Sequence, residues 1–469
     1  MIKKPSFFHA FICFTVIILM ISFGFFVYSI SLHSIIFLCL VWVGLNTYIL
    51  GYRYVEIQGM MNAAISQALP ALYIFILIGM VIASFMQSGT IASLIFYGLD
   101  WLGAGSFLLV GLLLCCLMSV VTGTSWGTVG TLGVVFMGIG AAMSIPLPLV
   151  AGMVISGATF GDKLSPVSDT TNLAAMSAET NLYAHIRSML YTTVPTLIIV
   201  MGLMIFFGLK YETETLPPIE IAAIREALEK TYGLNPLITL LPLFMMVGLS
   251  MKRASAQVSM SFSILCAVLI AVFYQQAHFA EVLNALWKNQ PGNTGITNID
   301  ALLGRGGISS MAWTLFLSIM ALAMGGILYA AGFLESLLLG LILRVKRVGS
   351  LVLLTISSSL LGNLAMGEAY ISIILNSQLY RASFDDLKMG RQMLSRTVEE
   401  GSTLTTGLIP WTTAGAFYAS TLDVSVIEYA PYAFLNYLNP LVSVLMAYLG
   451  FGIIRSVNST VPNESKNPS

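Results

Sequence analysis

From Trp101 to Gly161 the chain carries no Asp, Glu, Lys or Arg, and the run ends in GDKLSPVSDTTNLA, where Asp162, Lys163 and Asp169 fall within eight residues. A stretch that long without charge must satisfy its backbone polar groups internally, as a helix in lipid does. Composition extends the point to the whole chain: 57% of its 469 residues are hydrophobic and 9% charged, against roughly 25% charged in soluble domains. At about 20 apolar residues per crossing, the sequence supplies about ten helical spans. The expected fold class is an all-α polytopic membrane protein.

Several function classes drop out on composition. With 21 basic and 21 acidic residues and no long basic block, nucleic acid is excluded as the main partner. Cys13, Cys39, Cys115, Cys116 and Cys266 sit in apolar runs without CxxC spacing, and His9, His33, His185 and His278 fall near span ends. That pattern offers neither a haem nor a zinc site, and no cofactor is expected. HExxH is missing from the sequence and no histidine falls mid-span, so a membrane-embedded enzyme is not expected.

Lys3 and Lys4 precede an apolar run from Phe7 to Ile30, which is too long for a signal-peptide core and reads as a retained first helix. Further apolar segments lie near 32–51, 70–88, 105–141, 147–161, 188–209, 234–250, 256–275, 311–331, 349–380, 394–420 and 431–454. The long loops are 210–233 and 276–310. The first contains Glu212, Glu214, Pro217 and Pro218, then IEIAAIREALEK, and reads as a linker with a surface helix. It divides an N-terminal half, 1–209, from a C-terminal half, 234–456, with a polar tail at 457–469.

An offset of 244 positions superposes the halves: Gly105-Ser106 falls on Gly349-Ser350, Gly123 on Gly367, Gly157 on Gly401, Leu164 on Leu408 and Pro166 on Pro410. A fixed offset that matches breakers as well as apolar positions indicates an internal repeat. Orientation depends on the crossings between matched segments. Five are counted if 90–101 and 333–345, which contain Asp100 and Glu335, lie along the interface, and an odd count inverts one half. If both cross, the repeat is parallel. Either way both termini are cytoplasmic, with Lys3, Lys4, Arg344, Lys346, Arg347, Arg381, Lys388 and Arg391 on that side. Arg253 separates the two arrangements, being cytoplasmic only in the inverted one.

Chemistry must come from what is polar inside the membrane, where a charge at the centre costs about 2.5–3.5 kcal/mol on insertion scales. Pro146 to Phe160 is too short to cross alone, so the crossing continues through the polar stretch as an unwound helix, broken by Gly161 and Pro166. Carboxylate, hydroxyl and freed carbonyl oxygens suit a dehydrated Na+. In VVTGTSWGTVGT, the glycines allow a tight reversal and Thr122, Gly123, Thr124 and Ser125 form a candidate hairpin tip. In the second half Glu368 follows Gly367 in an otherwise apolar segment with Asn363 nearby. RTVEEGSTLTTGLIPWTTAGA supplies Glu399, Glu400 and Pro410 as the counterpart of the first break. Arg396 precedes Glu399 by three residues and can pair with it on a helix, which ranks Glu400 above Glu399. Lys163 diverges from Asp162 by about 100° if the segment is helical; it then pairs with another carboxylate or braces the break. Asp169 and Glu368 are both expected at depth, away from water.

The GDKLSPVSDTTNLA stretch, the TGTSWGT cluster and the GE pair of the second half resemble the NhaC family of Na+/H+ antiporters. That resemblance implies antiport of Na+ against H+ across the bacterial inner membrane, on two inverted repeats, each with a re-entrant hairpin and a discontinuous helix. It also implies that Asp162, Ser165, Asp169, Thr170 and Asn172 match the family's signature, joined here by Glu368 and Glu400 as metal-ion ligands. The transported partners would be Na+ and H+ within a lipid bilayer, with a homodimer left open. The family also includes a malate–proton/Na+–lactate exchanger, for which Lys163 and the glycine-rich 122–130 segment would offer an anion site.

Mechanistically, a carboxylate that binds Na+ when ionised and releases it when protonated couples the ions by mutual exclusion. For this to operate near neutral pH, at least one carboxyl must hold its proton above the ordinary carboxylate range, which desolvation or a neighbouring carboxylate brings about.

Overall fold

The computed structural model describes residues 4–101, 104–212, 218–252, 254–342 and 347–456. Lys3, Glu214, Pro217, Arg253, Arg344, Lys346 and the 457–469 tail lie outside the described residues, as does the Glu212 side chain. Among the described residues the secondary structure is helical, apart from a single antiparallel bridge between Met389 and Arg455. Nine of these helices are long and apolar enough to cross a membrane, which makes the chain a polytopic membrane protein. The Thr90–Trp101 and Phe333–Ile342 helices, of 12 and 10 residues, are too short to cross by themselves.

The apolar segment expected at 70–88 is the later part of one 34-residue helix, Tyr54–Gln87. Glu56 starts it by accepting from the Arg53 backbone N–H at 2.6 Å, and Pro70 is carried inside it. A membrane helix tolerates an internal proline when neighbouring helices and local adjustments absorb the lost bond, and Ile308–Ala330 packs alongside this one.

Element boundaries recur at the offset read from the sequence. Ala104–Thr122 corresponds to Val348–Met366 at both ends. The starts of Ser125–Thr128, Leu147–Leu164 and Asp169–Ser177 correspond to those of Ala369–Asp386, Arg391–Thr406 and Thr413–Leu422. Local chemistry recurs with them. Ser119 Oγ donates to the Ala158 carbonyl at 2.6 Å and Asn363 Nδ2 to the Ser402 carbonyl at 2.6 Å. A Cβ on Gly157 would lie 2.7 Å from the Leu112 carbonyl oxygen, and one on Gly401 2.8 Å from that of Ile356. Each half thus needs glycine at one helix crossing. Ser168 and Thr412 cap the following helices through their hydroxyls.

Contacts between turns sort the ends of the helices into two sets. At one end Gln87 bonds Asn289, Gln275 bonds the Ser88 carbonyl, His33 bonds the Trp313 carbonyl and Arg305 pairs with Asp423. At the other end Lys4 pairs with Glu335, Arg381 with Glu179, and Gly390 N–H donates to the Ile454 carbonyl. Packing also crosses between halves. The Phe7–Ser22 and Leu32–Ile49 helices lean on Phe333–Ile342 and Ile308–Ala330, while Ala256–Phe273 leans on Tyr54–Gln87.

Candidate functional site

Two tight turns and two helix breaks meet inside the bundle. Ala104–Thr122 ends at Gly123, whose φ of 70° suits glycine, and Thr124 begins the next helix by accepting from Gly127 N–H at 3.3 Å. Leu147–Leu164 ends at Ser165, and Asp169–Ser177 starts after a four-residue break. A Cβ on Gly123 would lie 2.9 Å from Val167 Cβ and 3.1 Å from Ser168 N, so the turn sits directly against the break. The second turn copies this: Gly367 has φ 66°, and a Cβ there would lie 3.5 Å from the Trp411 carbonyl oxygen, in the second break.

Each turn faces a buried carboxylate. Asp162, 7% exposed, accepts from Ser125 Oγ at 2.7 Å, and Tyr418 OH from the second repeat donates to Ser125 Oγ at 3.2 Å. Ser168 also bonds the Asp162 carboxylate. Glu368 stands in the second turn, 3% exposed, and accepts from Thr413 Oγ1 at 2.6 Å; Thr413 N–H donates to the Gly367 carbonyl at 2.9 Å. Tyr370, next to Glu368, lies within electrostatic range of Asp169, Glu368 and Asp162. The two turns therefore bring Asp162 and Glu368 into one region.

A third carboxylate ties the repeats together. Glu399, fully buried on the Arg391–Thr406 helix, has Lys163 Nζ at 3.9 Å and His185 Nε2 at 2.6 Å, and accepts from Thr171 Oγ1 at 3.2 Å. Lys163 also donates to the Glu399 carbonyl at 3.3 Å, and Thr171 to the Asp162 carbonyl at 3.1 Å. A buried lysine left unpaired would cost several kcal/mol. Lys163 thus braces the first break against the second half.

The remaining signature residues hold the break in shape. Asn172 Nδ2 donates to the Pro166 and Ser168 carbonyls at 3.0 and 2.7 Å, Ser165 Oγ accepts from Val167 N–H at 3.3 Å, and Thr170 Oγ1 pairs with Ser168 Oγ at 3.1 Å. The Thr122 hydroxyl is buried with no hydrogen-bond partner, an oxygen available beside the first turn.

The structure corrects four expectations. The helix runs through Gly161, which serves close packing: a Cβ there would lie 2.5 Å from the Cys116 carbonyl oxygen. The break begins only at Ser165. Asp169 is exposed on the first turn of its helix rather than enclosed, because Ser168 takes the capping position and points Asp169 outward. Arg396 faces Glu400, four residues on, not Glu399. Glu400 is thereby the member in the field of Arg396, whose guanidinium donates to the Ser188 and Gly452 carbonyls, and it accepts from Thr192 Oγ1 at 2.5 Å, while Glu399 joins the central network. Finally, His185 is fully buried against a carboxylate although it stands in the first turn of its helix. Its span-end position in the sequence hid that contact; only the tertiary packing of Leu182–Glu212 on Arg391–Thr406 creates it.

Residues 2–171 and 157–451 match the model of the Na+/H+ antiporter family. The chain is 36% identical to the Na(+)/H(+) antiporter NhaC of Alkalihalophilus pseudofirmus, covering 91% of this chain and 92% of that one. It is 34% identical to the Malate-2H(+)/Na(+)-lactate antiporter of Bacillus subtilis, covering 88% of each. It is also 34% identical to the arginine/ornithine antiporter ArcD of Halobacterium salinarum, covering 88% and 86%. With both halves matched and relatives alike over nearly their full length, the chain belongs to the NhaC family of Na+/H+ antiporters.

Proposed function

We propose that the protein exchanges Na+ for H+ as a secondary active transporter, with Asp162 and Glu368 each holding either a proton or the cation. One observation carries this reading: the close partners of these two buried carboxylates are neutral hydroxyls, Ser125 and Thr413. Glu399 and Glu400 instead face Lys163, His185 and Arg396. Lys163 reaches Asp162 only through its field while its ammonium bonds at Glu399, so a carboxylate whose close partners are hydroxyls takes up a proton or a metal ion from outside, and the two exclude each other. Na+ is the cargo, and hydroxyl and carbonyl oxygens at the breaks supply the hard ligands it prefers. Ser165, Thr170 and Asn172 act by shaping the first break, Asp169 by its exposed position on the approach, and Thr122, Thr124, Gly123 and Gly367 by forming the turns. Glu400, in the field of Arg396, is the weakest of the proposed ligands.

The fold-level reading is two inverted repeats, each with a re-entrant hairpin and a discontinuous helix. It is supported by the two sets of turns. The helix pair around Gly123 returns to the end that holds 297–303, on which Val134–Ala142 packs. The pair around Gly367 returns to the end where Gly390 meets Ile454. Hairpins entering from opposite ends, with the site between them, fit alternating access. Arg53, Lys252, Arg347, Lys388 and Arg391 sit at the second end, which makes it the cytoplasmic one and puts both termini there.

An organic-acid exchanger would need an unpaired cation at the first turn, and Lys163 is engaged by Glu399. Cation exchange is therefore the reading we adopt. In proteoliposomes, a pH gradient should drive 22Na+ uptake without added malate or lactate, and Asp162→Asn and Glu368→Gln should each abolish it while the protein still inserts. Uptake that strictly requires the organic acid, or that survives both substitutions, would overturn the assignment.

A further inference from the structure

A groove at the end where Gly390 meets Ile454 holds a cation that the exchange does not use. It encloses about 510 Å³ and is lined by Tyr183, Arg187, Ser188 and Tyr191 of the Leu182–Glu212 helix, with Gln392 and Ile454 across from them. No acid is among its lining residues. At the same end Arg381 pairs with Glu179 and Arg391 with Asp385. Arg187, by contrast, is exposed and makes no ion pair or side-chain hydrogen bond among the described residues.

A second arginine fixes the shape of the groove. Buried Arg396 donates through Nη1 to the Ser188 carbonyl at 3.3 Å and to the Gly452 carbonyl at 3.0 Å, which joins the helix wall to the segment that carries Ile454. The Ser188 hydroxyl is buried with no partner. A guanidinium, a spare hydroxyl and the two tyrosines thus stand together on one wall without a carboxylate, a donor set that suits phosphate oxygens.

Beyond the groove the same helix face turns apolar. Tyr191, Val194 and Ile198 follow Arg187 at spacings of four, three and four residues, which sets them in one row, and all three are exposed. From Arg187 to Ile198 the row runs roughly 16 Å along the helix, about the hydrocarbon depth of one leaflet. Tyr183 and Tyr191, one on each side of Arg187 in the chain, are exposed as aromatic side chains at headgroup level are. A free phosphate would use the guanidinium and leave the row bare. A phospholipid covers both.

We infer that this groove binds an anionic phospholipid of the phosphatidylglycerol class, its phosphate on Arg187 and one acyl chain along Tyr191, Val194 and Ile198. The planar guanidinium offers the phosphate two parallel N–H donors. A choline headgroup brings a cation of its own beside Arg187 and is held less well. Basic pockets between membrane helices recognise acidic headgroups in this way. The site depends on the chain lying in a bilayer and not on which ions it exchanges.

The test follows the melting temperature of the full-length protein in detergent as lipid is titrated in. Dioleoyl phosphatidylglycerol should raise it saturably, while dioleoyl phosphatidylcholine at the same mole fraction and millimolar inorganic phosphate should not. Arg187→Gln should keep the lipid-free melting temperature, because Arg187 has no partner to lose, and should raise the half-saturating phosphatidylglycerol concentration about tenfold or more, as loss of a hydrogen bond to a charged group does. Ser188→Ala removes a hydroxyl that has no partner; it should melt no lower than the wild type without lipid and respond more weakly to phosphatidylglycerol. An equal rise with phosphatidylcholine would overturn the inference, since it marks general solvation by lipid. An Arg187-dependent rise with inorganic phosphate would overturn it in favour of a site for a soluble anion. A phosphatidylglycerol titration unchanged by Arg187→Gln, or no rise in the wild type, would overturn it as well.

Discussion

Glu399 joins three helices of the first half to one of the second through a single carboxylate, so its removal has a cost that its neighbours reveal. Glu399→Gln keeps the shape and the acceptor for Thr171, but takes from the buried Lys163 ammonium its closest counter-charge, leaving only the more distant Asp162 and Glu400. Breaking one side of a buried pair costs about 3–5 kcal/mol, which should appear as a clear drop in melting temperature of the detergent-solubilised protein. Lys163→Met combined with Glu399→Gln removes the orphan charge and should recover most of that loss. A double variant no more stable than Glu399→Gln would show that Lys163 draws its support from elsewhere. The burial of Asp162 and Glu368 was legible in the sequence, because both acids stand in long apolar runs. Which of Glu399 and Glu400 meets Arg396 was not, because spacings of three and four residues both bring side chains to one helix face. Tertiary packing of the Leu182–Glu212 helix decided it, and His185 came with that packing.

At the scale of elements, the turn at Gly123 and its counterpart at Gly367 are set by backbone geometry. Both glycines adopt positive φ, where a side chain costs roughly 1–2 kcal/mol. A Cβ on Gly123 would in addition press on Val167 Cβ at 2.9 Å and the Val167 backbone carbonyl carbon at 3.0 Å. Gly123→Ala should therefore push the turn off the first break and lower Na+/H+ exchange severely, while Gly202→Ala, with nothing within 4 Å of its Cβ, should leave exchange and stability unchanged. Exchange by Gly123→Ala equal to that of Gly202→Ala would show that the turn need not touch the break. These elements were readable because glycine and proline punctuate a helix whatever its surroundings. The offset that aligned Gly123 with Gly367 also predicted the paired helix starts. What the sequence could not locate was the point of unwinding. Gly161 looked like a breaker but is held helical by its tight fit on Cys116, and the chain instead lets go where Pro166 denies Ser165 the helical region.

For the whole molecule, orientation is the property that the repeat alone leaves open, since a match at fixed offset holds for parallel and inverted halves alike. The inverted arrangement proposed above rests on the partners of the turns. Lys230, exposed on the Pro218–Thr231 helix, shares an end with Gln275, whose side chain bonds the carbonyls of Ser88 and Gly233. Lys252 closes the Leu241–Met251 helix at the opposite end of that crossing and is exposed. The 11 residues of that helix span only about 16 Å, and with the Pro236–Thr239 turn before it the segment reaches about 24 Å, so 236–251 is the shortest crossing the inverted arrangement requires. In the inverted arrangement a cysteine replacing Lys252 should react with a membrane-impermeant maleimide only in everted vesicles, and one replacing Lys230 only in right-side-out vesicles. Reaction of both from the same side would mean that 236–251 does not cross. The crossing count between the halves would then be even, the repeats parallel, and the two turns would approach Asp162 and Glu368 from one side. Alternating access would then need some movement other than a rocking of opposed hairpins.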